Sequence, residues 1–347
     1  MDWLVLSPFV RITEPDWLMP FIDQQIHRTR QVPAFYVHDR SRNVSSRRQW
    51  LDYLHHGWQG FVATFGRRPA GIVTVFPQLA VTVALLKKLS GRKKVPLIAW
   101  CFNLAQPYEG IKGKLARFCL PAVDLFVVHS RAEIDIYSSW LQLPRERFVF
   151  VPLSAKLPTG ETWTERSDEP YIVALGTANR DYALLAEAAG QLGYKTIIVA
   201  GAHAVENIQA PPCVSFRSGL TLAECHQLAL HSRINVIPIA DIDAPSGQVT
   251  VIESMMRGVP LVATACAGTL DYINDGVDGI LVAPGDVQAM VRALRTVWEG
   301  AGLRRMLSQQ AGQTSLDKFS FPAAAGSLAN LMNQLTPKQP HGDQIAV

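Results

Sequence analysis

The residues best suited to chemistry cluster in one stretch, 243–286. Ser246-Gly247-Gln248-Val249-Thr250 reads as a turn that opens a short helix. Small residues at such a start leave the first helical amides open. Those N–H groups and the positive end of the helix dipole suit an anion. Glu253 follows Gly247 by six residues, which is about 9 Å along a helix axis. A carboxylate at that distance could hold both hydroxyls of a ribose whose diphosphate rests on the turn. The pattern is that of a nucleoside-diphosphate site. A departing diphosphate also needs a fixed cation or a metal. Arg180, in the loop at 176–182, could take two phosphate oxygens at once; the plainer reading is a surface arginine paired with Asp181. Asp241-Ile242-Asp243 could hold Mg²⁺ through oxygen ligands, although a solvated loop is the simpler account.

These residues must be positioned by βα alternation. Val251, Ile252, Met255 and Met256 share one apolar side of the helix, Gly258 suits its C′ position and Pro260 stops it. A buried strand at 261–264 follows, then a glycine-containing turn, a second short helix around Asp271 and Tyr272, and a strand at 279–282. Upstream, strands are expected at 3–6, 32–38, 71–76, 95–102, 124–129 and 148–151. Helices are expected at 16–30, 49–58, 79–90 and 131–141, with a basic patch from His27 to Arg30 and a charged loop at 40–48. After a polar linker the alternation resumes, with strands at 171–175, 196–200, 214–216 and 234–239 and helices at 182–192 and 222–230. The pattern predicts an α/β chain of two Rossmann-like domains. The expected boundaries are a first domain at 1–157, a linker at 158–169 and a second domain at 170–318. A helix at 319–335 could cross back to the first domain, and 336–347 form a tail.

The motif also carries a family resemblance. Glu253-Ser-Met-Met-Arg-Gly-Val-Pro-Leu-Val, and again 271–286, are similar to the signature of retaining glycosyltransferases of the GT-B fold, family 4 (glycosyl transferases group 1). The resemblance implies two Rossmann-like domains facing each other across a cleft, a nucleotide-sugar donor, no metal and no cofactor. It makes Glu253 the ribose ligand, with Gly247, Gln248, Val249 and Thr250 at the diphosphate and Ser246 in the same turn. The first glutamate of the family's Glu-x7-Glu pair is replaced by Pro245, and Asp243 is the nearest carboxylate that could substitute. The family's basic pair is reduced to Arg180. Arg217 begins the segment that surrounds the base. Asn103 stands where many relatives have a histidine. His129, ending a buried strand, is either an acceptor or donor-sugar contact or a satisfied core histidine. The family's glycine-rich loop after the first strand is absent from 7–20. Glu253, Arg180, Asn103 and His129 are the catalytic candidates.

Composition sets the outer bounds. With 347 residues, 48% hydrophobic and 18% charged, the chain can fill two cores and is not a disordered protein. Five scattered cysteines without metal spacing suit reduced thiols in the cytoplasm. No signal peptide is expected. The apolar run at 70–86 is short for a membrane span and broken by Pro77, so a strand and a helix explain it better. Residues 1–150 hold 20 Lys and Arg against 11 Asp and Glu, while the remainder hold 13 against 18. The basic half suggests either an ordinary solvated face or an anionic partner, a lipid-linked acceptor or a membrane surface, which would give a cytoplasmic protein a peripheral place on the inner face of the plasma membrane. Nucleic acid is disfavoured because no recognition motif accompanies the charge. The function that follows is transfer of a sugar from a UDP- or GDP-sugar to a glycan or lipid-linked glycan in envelope or exopolysaccharide synthesis. The alternatives are a GT-B-type nucleotide-sugar epimerase and a non-catalytic nucleotide-sugar-binding protein.

Overall fold

Short, almost wholly apolar runs such as Leu-Phe-Val-Val and Ile-Asn-Val-Ile, the latter broken only by Asn235, are too continuous for a half-wet sheet. In the computed structural model they are central parallel strands buried on both faces. The structure describes residues 1–9, 17–36, 46–66, 70–104, 106–166, 168–242 and 244–336. They form two compact units: Met1–His129 with Glu133–Val151 and the chain from Ala324 on, and Ser130–Ala132 with Pro152–Ala323.

The first unit holds strands β1 (Asp2–Leu6), β2 (Arg28–Val32), β3 (Ala70–Val75), β4 (Leu97–Trp100), β5 (Leu125–Val128) and β6 (Phe148–Phe150). They are ordered β2-β1-β3-β4-β5-β6 and all are parallel. Helices α1 (Arg47–Val62), α2 (Pro77–Leu89), α3 (Gly110–Cys119) and α4 (Arg131–Leu141) are the crossovers. Strand order reverses between β1 and β3, so the switch point of this sheet lies at their carboxyl ends. The apolar run at 70–86 is β3 followed by α2, as its proline implied. Among the described residues no helix is long and apolar enough to cross a membrane.

Two expectations fail here. The predicted helix at 16–30 is a single 3₁₀ turn (Met19–Phe21), a polar turn and then strand β2, within the residues described. Asp23 accepts a hydrogen bond from the Gln25 amide at 2.8 Å, and Gln24 folds its side chain back onto Thr29. Both interactions compete with helix formation. Arg28-Thr29-Arg30 then forms the edge of the sheet, where a polar strand is favoured. The predicted basic patch loses His27, which is buried with Nε2 2.9 Å from Asn333 Oδ1. The strand expected at 32–38 ends at Val32, and 37–38 lie outside the described residues, as do 40–45 of the charged loop.

The second unit holds β7 (Ile172–Leu175), β8 (Thr196–Val199), β9 (Val214–Arg217), β10 (Ile234–Ile237), β11 (Leu261–Thr264) and β12 (Ile280–Val282). Their order, β9-β8-β7-β10-β11-β12, is the dinucleotide-binding one, and all pairings are parallel. Helices α5 (Tyr182–Leu192), α6 (Leu222–Leu230) and α7 (Gln248–Met256) follow the sequence expectation closely; α8 (Val287–Glu299) and α9 (Ala301–Thr314) come next, and α10 (Phe321–Leu335) ends the fold. The expected short helix around Asp271 and Tyr272 is instead a run of turns. Thr269 Oγ1 accepts from the Cys266 amide at 3.0 Å and donates to the Thr264 carbonyl, while the backbone closes isolated turns, Leu270 onto Cys266 and Ile273 onto Thr269, that do not join into a helix.

Candidate active site

The switch point of the second sheet lies between β7 and β10, where two loops emerge side by side. They are stitched together: Arg180 and Ile239 form an antiparallel bridge, the Ala240 amide donates to Asn179 at 3.0 Å, and the Asp181 amide donates to Pro238 at 2.8 Å. Asp181 is not the partner of Arg180, because its carboxylate caps α5 by accepting from the Leu184 amide at 3.0 Å.

Arg180 instead turns toward α7. Its Nη2 donates to Thr250 Oγ1 at 3.1 Å and its Nη1 to the Ala178 carbonyl at 2.7 Å. Its guanidinium lies against Gly176, where an added Cβ would sit 2.7 Å from Nη2. Burial draws its pKa below the ordinary arginine range, with Tyr182 and Cys266 opposing, so the cation is poorly solvated. Such a cation interacts strongly with an anion that reaches it.

The turn before α7 is built around Gly247, whose φ of 87° is left-handed. An added Cβ there would approach Ile239 Cδ1 to 3.0 Å. Glycine is thus demanded by both backbone and space. As N-cap it offers no side chain to the first helical amides. Ser246 is buried, held by Asn179 at 3.5 Å and backed by Gly268, where a Cβ would strike the Ser246 backbone. Gln248 is buried and Val249 exposed. Val251, Ile252 and Met255 are buried as the apolar spacing predicted, and Gly258 at φ 67° follows the end of α7.

Glu253 faces α6. Its Oε2 lies 3.5 Å from His226 Nε2, and Arg257 bonds both the Glu253 carbonyl (2.9 Å) and His226 Nδ1 (3.0 Å). His226 and Arg257 are neighbours that the sequence reading missed. Arg257 was readable as the i+4 partner of Glu253, whereas nothing in the spacing announced His226 on another helix.

The other candidates lie elsewhere. Arg217 is exposed at the end of edge strand β9, two strands from the switch point. Asp243 lies outside the described residues; among those described, no group of three or more His, Cys, Asp or Glu is arranged to hold a metal. Asn103 and His129 belong to the first unit. Asn103 is exposed beyond β4, after a reversal at Cys101 (φ 53°). His129 is buried, with Nδ1 2.6 Å from the Val151 carbonyl, and burial pushes its pKa down to about 4 against that hydrogen bond. It is a core histidine held neutral.

At the first unit's own switch point Phe9 meets Phe76 edge-to-face at 4.7 Å, and Trp17 meets Trp100 at 6.0 Å. Phe76 holds a φ of 74° without being glycine, a strained conformation.

A doubly wound unit with an uncapped helix and a half-buried arginine at its switch point has the Rossmann-like α/β architecture. The family model for glycosyl transferases group 1 matches residues 169–299 of it, and the resemblance read from the motif holds. The lipopolysaccharide core biosynthesis glycosyltransferase LpsE of Rhizobium meliloti (strain 1021) is 27% identical over 99 residues. That match spans 28% of this chain and 29% of the relative. Among solved structures, Anabaena HepE in complex with UDP has a TM-score of 0.64 at 14% identity, covering 96% of this chain and all of that one. Sucrose-phosphate synthase from Thermosynechococcus elongatus has a TM-score of 0.66 at 15% identity, covering 96% and 98%. The lipopolysaccharide outer core galactosyltransferase WaaB has a TM-score of 0.64 at 13% identity, covering 96% and 100%. The fold is that of the GT-B glycosyltransferases.

Proposed function

We propose that the protein is a retaining glycosyltransferase that uses a nucleoside-diphosphate sugar. The observation that supports this most is Arg180 bonded to Thr250 on the uncapped first turn of α7, at the sheet's switch point. A diphosphate placed there meets a poorly solvated guanidinium and the positive end of the α7 dipole together, and both stabilise the charge that develops as it leaves. The acceptor hydroxyl attacks the anomeric carbon on the face from which the diphosphate departs. The glycosidic bond forms as the carbon–oxygen bond to the diphosphate breaks, and a diphosphate oxygen takes the hydroxyl proton. Glu253 holds the ribose diol. UDP-sugars are the first donors to test, since HepE is also described in complex with UDP-glucose, with GDP-sugars second.

The acceptor in this reading is a glycan or lipid-linked glycan met at an anionic membrane surface. On α3, Ile111, Leu115 and Phe118 are exposed on one stripe, Ile111 by 86%, and Lys112, Lys114 and Arg117 lie beside them. An apolar stripe with basic flanks suits an anionic interface. Flotation with phosphatidylglycerol vesicles but not phosphatidylcholine vesicles is expected, and equal behaviour on both removes the membrane from the proposal.

The donor site is tested by titrating UDP into Glu253→Ala. Loss of a charged acceptor for the diol costs about 1.5–3 kcal/mol, roughly 10- to 150-fold in Kd. Unchanged affinity contradicts the ribose assignment, and binding without sugar transfer would favour the non-catalytic reading.

A further inference from the structure

Behind Glu253 stands an ordered pair that the donor site does not by itself explain. Arg257 Nη2 lies 3.0 Å from His226 Nδ1. A guanidinium can only donate, so Nδ1 accepts and the neutral ring carries its proton on Nε2. That nitrogen is buried, has no hydrogen-bond partner and lies 3.5 Å from Glu253 Oε2. A buried N–H is thus aimed at a carboxylate oxygen but stops short of bonding it. Leaving such a donor unsatisfied is unfavourable, and a small rotation of the carboxylate closes the gap. Arg257 also bonds the Glu253 carbonyl at 2.9 Å, so the same cation that fixes the imidazole tautomer is anchored to the residue the imidazole faces.

We propose that His226 is the positioning residue of Glu253: its Nε2–H takes Oε2 when nucleotide binds and turns the remaining lone pairs of the carboxylate toward the ribose diol. This rests on the reading of Glu253 as ribose ligand. A carboxylate has about four lone-pair sites, enough for the imidazole and both hydroxyls. Arg257 acts one step further back, because without it either ring nitrogen could carry the proton.

The test is calorimetric titration with UDP and with 2′,3′-dideoxy-UDP, using the full chain and the variants His226→Phe, His226→Gln and Glu253→Ala. His226→Phe is expected to lose on the order of tenfold in UDP affinity and none for the dideoxy nucleotide. Glutamine, which keeps an acceptor for Arg257 and a donor for Glu253, recovers most of the loss. The proposal is overturned if His226→Phe binds UDP as the parent does, or if it weakens both nucleotides equally, which is what mere packing of α6 on α7 would give. Arg257→Met supplies a second route should the phenylalanine variant not fold: a loss confined to UDP supports the proposal, and parental binding overturns it. Glu253→Ala separates the two levels. If it leaves UDP affinity intact, the ribose reading itself fails. If it removes the preference for the diol while His226→Phe does not, only the positioning role fails.

Discussion

The two units share an architecture and differ at the place where such sheets bind ligands. At the β7/β10 switch point the chain supplies glycines, an uncapped helix start and a half-buried cation. At the β1/β3 switch point it supplies an edge-to-face aromatic pair and a helix that starts at Phe76-Pro77, again without a side-chain cap. Parallel strands create a crevice at any reversal of order, but the residues lining it decide what can enter. The polar crevice suits a diphosphate. Among the described residues the aromatic crevice is lined by rings rather than by a cation, which supports the proposal that the nucleotide is bound by the second unit.

The contrast can be broken most directly at Arg180. Arg180→Met is expected to lower the turnover of sugar transfer by about 10²- to 10³-fold, the scale of losing one donor to developing charge. Phe76→Ala, its counterpart in the first unit, should leave the Kd for UDP unchanged. A larger effect of Phe76 on UDP than of Arg180 would reverse the assignment of the two crevices.

The next effect concerns protons. Unfolded His129 takes a proton near 6.5, whereas the folded residue does so near 4. Between those values the unfolded chain binds more protons, so stability falls as pH drops through that window and levels off below it. The loss is up to about 3 kcal/mol. Burial depresses His56 too, which adds slope of the same sign. Urea unfolding at pH 7 and pH 4.5 should show a shallower pH dependence in His129→Gln, and an unaltered slope would contradict the buried neutral state.

Gly247→Ala sharpens the comparison at a smaller scale. A left-handed φ and the approach to Ile239 together cost about 1–3 kcal/mol. UDP affinity should fall with the turn's geometry. An alanine variant with parental melting temperature and UDP affinity would show that the turn tolerates a side chain, and the case for a demanded glycine would be lost.

Legibility followed the local determinants. The helix of residues 248–256 could be read because glycine, apolar spacing, Gly258 and Pro260 all act within one segment. Strand β2 could not, because an edge strand wants polar residues and Arg28-Thr29-Arg30 carries no apolar alternation. The turns near Asp271 resembled a helix because their backbone does close single helical-type turns, which stop short of a continuous helix. His226 was invisible because its meaning comes from a residue on a different helix. Arg180 was legible as a cation, while its bond to Thr250 required the sheet to bring residues 70 positions apart together.

The stitching of the loops after β7 and β10 has a kinetic consequence. Segments that are already zipped need no rearrangement before a ligand docks, so encounter alone should govern how fast UDP associates. Stopped-flow rates would then climb linearly with nucleotide concentration rather than reach a plateau, and substitutions in this crevice would show mainly in how long the complex survives.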